Sequence, residues 1–139
     1  MEIKINKKKK ALVTGGTGFV AGWIIKQLVA AGVNVHATVR DPSDKTKVGH
    51  LLELSEKGPG SVTLFQADLL EAGSFNAAVE GCSFVFHTAS PFILKFNDPQ
   101  RDLIDPALQG TQNILEAVSS SDSVERVVLT SSCVAIYGD

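Results

Sequence analysis

A doubly wound α/β sheet is the architecture that this 139-residue sequence predicts, and three observations predict it. Short apolar runs alternate with longer stretches of helical spacing along the whole chain, the pattern of parallel strands joined by crossover helices. Glycines stand where helical stretches must stop, at Gly32, Gly58 and Gly81. The first apolar run, Ala11-Leu12-Val13, leads through the octapeptide Thr14-Gly15-Gly16-Thr17-Gly18-Phe19-Val20-Ala21 directly into an amphipathic stretch, so a tight glycine turn joins a strand to a helix. With 44% apolar and 20% charged residues, the chain has material for one domain, residues 1–139, around one substantial core.

The elements follow in order. Phe19 to Ala31 carries Val20, Trp23, Ile24, Leu28 and Ala31 near helical spacing and ends at Gly32. Asn34 to Val39 is the second strand, after which Ser43 or Asp44 caps a helix that holds Val48, Leu51 and Leu52 and stops at Gly58-Pro59. Val62 to Ala67 is a third strand, and Glu71 to Glu80 a short helix with Phe75, Ala78 and Val79 on one side. Phe84 to Thr88 is almost entirely apolar, as a parallel strand covered on both faces must be. After a loop from Ser90 to Pro99, Asp105 stands at an N-cap position and Pro106 at the first helical position of a helix that runs to about Ser119, with room for a looser helical turn ahead of it. Val124 to Ser131 is the fifth strand. Chain connectivity then gives the strand order 3-2-1-4-5. Such a sheet ordinarily gains a further helix and strand, so the expectation is a fold truncated after its fifth strand. Its bare outer edge would be covered by another segment or would drive self-association.

Composition excludes several function classes. A formal net charge of −2 offers no electrostatic case for nucleic acid, and the run Lys7 to Lys10 reads as a solvated lead-in to the first strand. No apolar run approaches the ~20 residues of a membrane span, and the charged start lacks the features of a signal peptide, so a cytoplasmic location is expected. Cys82 and Cys133 lie far apart without a C-x-x-C spacing, which favours reduced thiols, and the three histidines form no ligand pair, so no metal is expected.

The glycine turn has the chemistry of a dinucleotide pyrophosphate site. Gly15 permits the tight turn, Gly18 has no Cβ to obstruct backbone approach, and Ala21 lets the helix pack close while its first N–H groups face the anion. Gly15, Thr17, Gly18, Phe19 and Val20 are therefore the candidate contacts. An acidic residue at the end of the second strand, about 20 residues on, would serve the ribose of NAD. This chain has Arg40 there, followed by Lys45 and Lys47, cations suited to a 2′-phosphate. NADP(H) is thus preferred, while the neighbouring Asp41 keeps NAD(H) open. Thr88, Ala89 and Ser90 end the fourth strand at the topological switch point, where small residues leave room for a nucleotide. Asp68, read alone, caps a strand-to-helix turn; His87, inside an apolar strand, reads as a packed, hydrogen-bonded histidine.

Four blocks carry a family likeness. They are Val13 to Ala21 with Trp23; Ala37-Thr38-Val39-Arg40-Asp41-Pro42 running into Val48-Gly49-His50-Leu51-Leu52-Glu53-Leu54; Ala67-Asp68-Leu69 with Gly73-Ser74-Phe75 and Gly81-Cys82 through Val85-Phe86-His87; and Asp105-Pro106-Ala107-Leu108-Gln109-Gly110-Thr111 with Arg126 to Ser132. From about Lys10 to Gly138 the chain resembles the N-terminal portion of the extended short-chain dehydrogenase/reductase superfamily, within it the dihydroflavonol 4-reductase and cinnamoyl-CoA reductase group. The resemblance implies a Rossmann-type sheet and reduction of a small-molecule ketone or aldehyde by hydride from NADPH. It implies that Arg40 and Lys47 hold the 2′-phosphate, that Asp68 accepts from the adenine amine and that Leu69 packs on the ring. It also implies that Ser132 is the catalytic serine; without the family, a serine at a strand end is a turn or cap residue.

The family's proton donor is a tyrosine with a lysine four residues later. This sequence has one tyrosine, Tyr137, followed only by Gly138 and Asp139, so the pair is absent and the chain alone is expected to bind nucleotide without turnover. Tyr137 matches a residue on the family's substrate side, or else is a core or edge aromatic. Two other classes share the glycine turn: a non-catalytic NAD(P)-binding sensor or regulatory module, and an NAD-dependent sugar-nucleotide epimerase or dehydratase, against which the charge of Arg40 stands.

Overall fold

The computed structural model describes residues 9–91 and 95–136. Lys7, Lys8, part of the loop after Ser90, and Tyr137 lie outside them. Five strands form one parallel sheet in the order β3-β2-β1-β4-β5. They are β1 (Lys10–Val13), β2 (Asn34–Val39), β3 (Val62–Gln66), β4 (Cys82–His87) and β5 (Arg126–Leu129). Helices α1 (Phe19–Ala30) and α2 (Lys45–Lys57) bury Ala21, Ile25, Val29, Val48 and Leu51 on one face, against Val13, Val35, Ala37, Val39 and Val62. The short α3 (Asn76–Val79) and the long α4 (Asp105–Ser119) cover the other face, where Phe75, Ala78, Val79, Ile114 and Ala117 meet Leu12, Cys82 and Val85. The doubly wound sheet and its order are as the sequence predicts.

Several local expectations are corrected. The buried stripe of α1 is Ala21, Ile25 and Val29, flanked by Ile24 and Leu28, whereas Val20 and Trp23 are half exposed. The helix is apolar on nearly every side, so spacing alone does not set its phase. Trp23 instead carries the Lys26 ammonium 4.7 Å above its ring. Asp105 is not an N-cap. A single wide π-type turn, Gln100–Ile104, precedes α4 without a break, and the Asp105 carboxylate accepts from the Gln100 amide at 2.6 Å. Pro106 has no N–H and its ring crowds the turn before it, which favours that wider winding. Of the two cap candidates for α2, the structure selects Asp44, which accepts from Thr46 N–H. The helical turn ending at Gly81 is regular only over Asn76–Val79, because Gly73 at φ +76° turns the chain just before it.

The fifth strand is also shorter than the apolar run suggests. It pairs with β4 alone among the described residues, and Val128 and Leu129 are 44% and 55% exposed. Lys9, at the entry to β1, forms an ion pair with Glu125, at the entry to β5.

Both cysteines are free; Cys82 is buried and Cys133 exposed. Burial pushes the Cys82 thiol up to about 11, so it is inert as a nucleophile. Two histidines are buried as well. His36 donates from Nδ1 to the Ala78 carbonyl at 2.8 Å, and Thr14 and His87 lie 2.8 Å apart across β1 and β4. Burial lowers the pKa of both imidazoles below the usual 6.5. Between the lowered folded value and 6.5 the unfolded chain binds protons that the folded chain does not, so stability rises with pH through that window. The melting temperature is therefore expected to fall as pH drops below about 6.5, well above the range where the carboxylates protonate. Thermal unfolding followed by circular dichroism checks this; a melting temperature flat between about pH 7.5 and 5.5 contradicts it.

Candidate functional site

The carboxyl ends of β1 to β4 open onto one cleft, where doubly wound sheets place their ligands. The turn after β1 contributes Gly15, Thr17 and Gly18, and the end of β2 contributes Thr38 to Arg40. Ala67 to Leu70 line it beyond β3 with Phe75, and Thr88 to Pro91 beyond β4.

The glycine turn is held by β2. Gly16 N–H donates to the Thr38 carbonyl at 2.8 Å, Gly15 N–H to the Thr38 hydroxyl at 3.3 Å, and Gly18 N–H closes the turn on the Gly15 carbonyl at 2.8 Å. Gly15 stands at φ +68°, and a Cβ there would meet Ala89 Cα at 3.1 Å. Its glycine is thus required twice over, by backbone conformation and by the close passage of the β4 end. Helix α1 starts at Phe19 with Gly18 as its cap, no side chain satisfies its first N–H groups, and its first turn holds no acidic residue. An uncapped helix start at the mouth of a cleft concentrates oriented donors and positive partial charge, which fits a diphosphate.

At the end of β2, Arg40 is exposed and lines the cleft. The adjacent Asp41 does not line it. Its carboxylate accepts from Ser43 Oγ at 2.6 Å and Ser43 N–H at 2.8 Å, bonds that hold it below the usual carboxylate range. Lys47 lies outside the cleft lining and pairs with Asp44 at 3.0 Å. The Thr46 hydroxyl and then Lys47 bring the Asp44 carboxyl down to about 2.

Asp68 and Leu69 line the cleft. Asp68 folds its own loop rather than capping a helix: its carboxylate accepts from Leu70 N–H at 2.9 Å and its carbonyl from the Ser74 hydroxyl at 2.7 Å. From below, α4 clamps this loop. Asn113 donates to the Leu69 carbonyl at 2.6 Å, Gln109 to the Leu70 carbonyl at 3.2 Å, and a Cβ on Gly110 would come within 3.0 Å of the Leu69 side chain. Replacing Asn113 by alanine strands that carbonyl and is expected to cost about 1–3 kcal/mol of stability. Urea unfolding measures it, and an unchanged midpoint contradicts the clamp.

Thr88, Ala89 and Ser90 line the cleft, whereas Phe19, Val20 and Ser132, like Lys47, do not. Phe19 is 83% exposed, Val20 half exposed, and Ser132 lies beyond β5. Ser132 caps the short 3-10 turn Cys133–Ala135 by accepting from Val134 N–H at 3.3 Å. β5 ends at Leu129, so Ser132 stands three residues past the strand rather than at its end. Sequence reasoning missed Thr38 and Asn113. Their signal is a lone polar group on an otherwise buried surface, Asn113 between Gly110, Ile114 and Ala117, Thr38 between Ala37 and Val39.

Sheet order, glycine turn and crevice together define a nucleotide-fold domain of the doubly wound class. The chain belongs to the NAD dependent epimerase/dehydratase family, whose model matches residues 11–139. Several of the relatives it matches are named as reductases. It is 51% identical over 124 residues to a cinnamoyl-CoA reductase, CAD2, of Medicago truncatula, a match covering 89% of this chain and 38% of that protein. It is 46% identical over 120 residues to a dihydroflavonol 4-reductase of Solanum lycopersicum, covering 86% of this chain and 31% of that protein. Among solved structures, Gre2 in complex with NADPH from Candida albicans superposes with a TM-score of 0.76 at 33% identity, covering 89% of this chain and 37% of that one. The chain thus spans well under half the length of the relatives it matches. Among the described residues, no helix is long and apolar enough to cross a membrane.

Proposed function

We propose that residues 1–139 are the nucleotide-binding unit of an NADP(H)-dependent reductase that converts a ketone or aldehyde to an alcohol in the cytosol. The observation that carries this is the pairing of Arg40 on the cleft with an Asp41 already bonded to Ser43. The bonds to Ser43 keep the Asp41 carboxylate charged but off the cleft lining, where it would repel a 2′-phosphate, whereas the Arg40 guanidinium on the lining grips one with two parallel bonds. The reductase names of the two relatives described above support the reaction class, and the NADPH held by one structural neighbour supports the cofactor.

The fit to the nucleotide runs along the cleft. The first N–H groups of α1, with Gly15, Thr17 and Gly18, take the diphosphate; Phe19 and Val20 take part through their backbone, which agrees with their exposed side chains. Asp68 and Leu69 receive the adenine, and Thr88, Ala89 and Ser90 the far side of the nucleotide. Lys47 lies near enough in sequence to add a second cation once it leaves Asp44. When bound, the reduced nicotinamide supplies a hydride to the carbonyl carbon. Ser132 would hydrogen-bond the carbonyl oxygen, which requires its hydroxyl to turn from the Val134 N–H that it now serves. A proton donor paired with a lysine is not in this sequence.

Titration of the chain with NADPH and with NADH, followed by nicotinamide fluorescence, tests the reading. Binding of NADPH about tenfold or more tighter than NADH is expected. Equal affinities remove the 2′-phosphate assignment, and no binding of either removes the function.

A further inference from the structure

Thr14 directly follows β1 and is fully buried, one residue past the Val13–Phe86 pair that ends the register between β1 and β4, as His87 is on the other strand. Its hydroxyl oxygen has three neighbours at bonding distance. Thr88 N–H and Ala89 N–H each lie 3.1 Å away, and His87 Nδ1 lies 2.8 Å away. A hydroxyl oxygen has two lone pairs and one proton. The two backbone N–H groups can only donate, so they occupy both lone pairs, and the hydroxyl proton has His87 Nδ1 as its acceptor. Nδ1 therefore carries no proton, and the ring proton sits on Nε2. The opposite tautomer would set three donors against two lone pairs and leave the hydroxyl proton facing N–H.

We propose that His87 is a positioning residue of the nucleotide cleft: by accepting the Thr14 proton at Nδ1 it fixes Thr14 Oγ1 as the double acceptor that bends the chain after β4 across Gly15. The bend brings Ala89 against the glycine turn, where Ala89 Cα lies 3.1 Å from the position a Gly15 Cβ would take. Thr88 Oγ1 adds a bond of 2.6 Å to the Thr14 carbonyl, which fastens the same crossing from the other side. Thus Thr88 to Ser90, one wall of the cleft, is set by a side chain that lies outside the cleft lining. Burial of the imidazole, which disfavours its charged form, keeps the ring neutral and the acceptor available. His36 supplies a contrast within the molecule, since its Nδ1 faces a carbonyl and must carry the proton.

The functional consequence rests on the nucleotide reading of the cleft, and the test separates the two. Long-range proton–nitrogen spectra of the nucleotide-free chain, with ¹⁵N-labelled histidine, are expected to show His87 protonated on Nε2 with Nδ1 as a bare acceptor, and His36 the reverse. In NADPH titrations, His87→Leu, which offers no acceptor, is expected to weaken binding about tenfold, and His87→Asn, whose carboxamide oxygen can stand near Nδ1, to stay within about threefold of wild type. A His87 ring protonated on Nδ1 overturns the proposal even if His87→Leu fails to fold. Equal losses in His87→Leu and His87→Asn, or none in either, overturn it too. If the wild-type ring shows the expected pattern but the chain binds no NADPH, the nucleotide reading fails and the positioning role falls with it. If the chain binds NADPH with the proton on Nδ1, only the role of His87 is lost.

Discussion

Replacing Arg40 by alanine is expected to weaken NADPH binding by about 10–100-fold while leaving NADH within about twofold, because a charge-assisted bond to phosphate is worth about 1.5–3 kcal/mol and NADH has no 2′-phosphate to lose. The asymmetry matters more than the size. Arg40 is exposed at the rim, so its removal leaves no cavity and no buried orphan, and the fold should unfold at an unchanged temperature. Ser43→Ala removes the hydroxyl donor to Asp41 but keeps the backbone N–H donor, so it should loosen that carboxylate toward the rim and weaken NADPH in the same direction, by a smaller factor. Isothermal calorimetry with both coenzymes reads all three effects. Parallel losses for NADPH and NADH in Arg40→Ala would mean that the guanidinium acts on something other than the 2′-phosphate.

Gly15→Val is expected to be the most damaging single substitution in the cleft. At φ +68° a residue with a Cβ pays the left-handed penalty of about 1–2 kcal/mol, and crowding against backbone at 3.1–3.3 Å adds about 1–3 kcal/mol. The atoms met are Ala89 Cα, Cβ and N, part of the wall that Thr14 fixes, so the strain is not relieved by turning a side chain. Urea unfolding should show the loss, and NADPH affinity should fall more than tenfold under conditions where the protein is still folded. Gly22→Ala is the matched control. A Cβ at Gly22 meets nothing within 4 Å, and in a helix interior the change is expected to stabilise by up to about 1 kcal/mol. If both substitutions behave alike, the left-handed turn has no special place in the site.

Much of this architecture is legible in the sequence because it depends on local signals. Ala11-Leu12-Val13 followed closely by glycines and a helix marks the first strand and turn, and Gly32 and Gly81 both take positive φ where the sequence predicts a terminator. The strand order follows from connectivity rules once the strands are recognised. What escapes the sequence is set by partners far along the chain. The bonds of Thr14 span 73 to 75 residues, that of Asn113 to Leu69 spans 44, and no local pattern announces either. The sequence does not set the phase of α1, because Phe19, Val20 and Trp23 are as apolar as its buried stripe. Nor does it set the start of α4, because Asp105-Pro106 has the pattern of a cap and first turn whether or not a wider turn precedes it. The family likeness reaches Arg40, Asp68 and Leu69, which line the cleft, and also Ser132 and Lys47, which do not.

The central claim is that oriented N–H groups at the start of α1 hold the diphosphate of a nicotinamide dinucleotide. Backbone amide spectra of the ¹⁵N-labelled chain, recorded with increasing NADP+, test it at the atoms concerned. The largest shifts are expected at Thr17 to Ala21, with further shifts at Asp68 to Leu70 and Thr88 to Ser90. Saturating NADP+ that leaves the amides of Thr17 to Ala21 where they were would contradict the account.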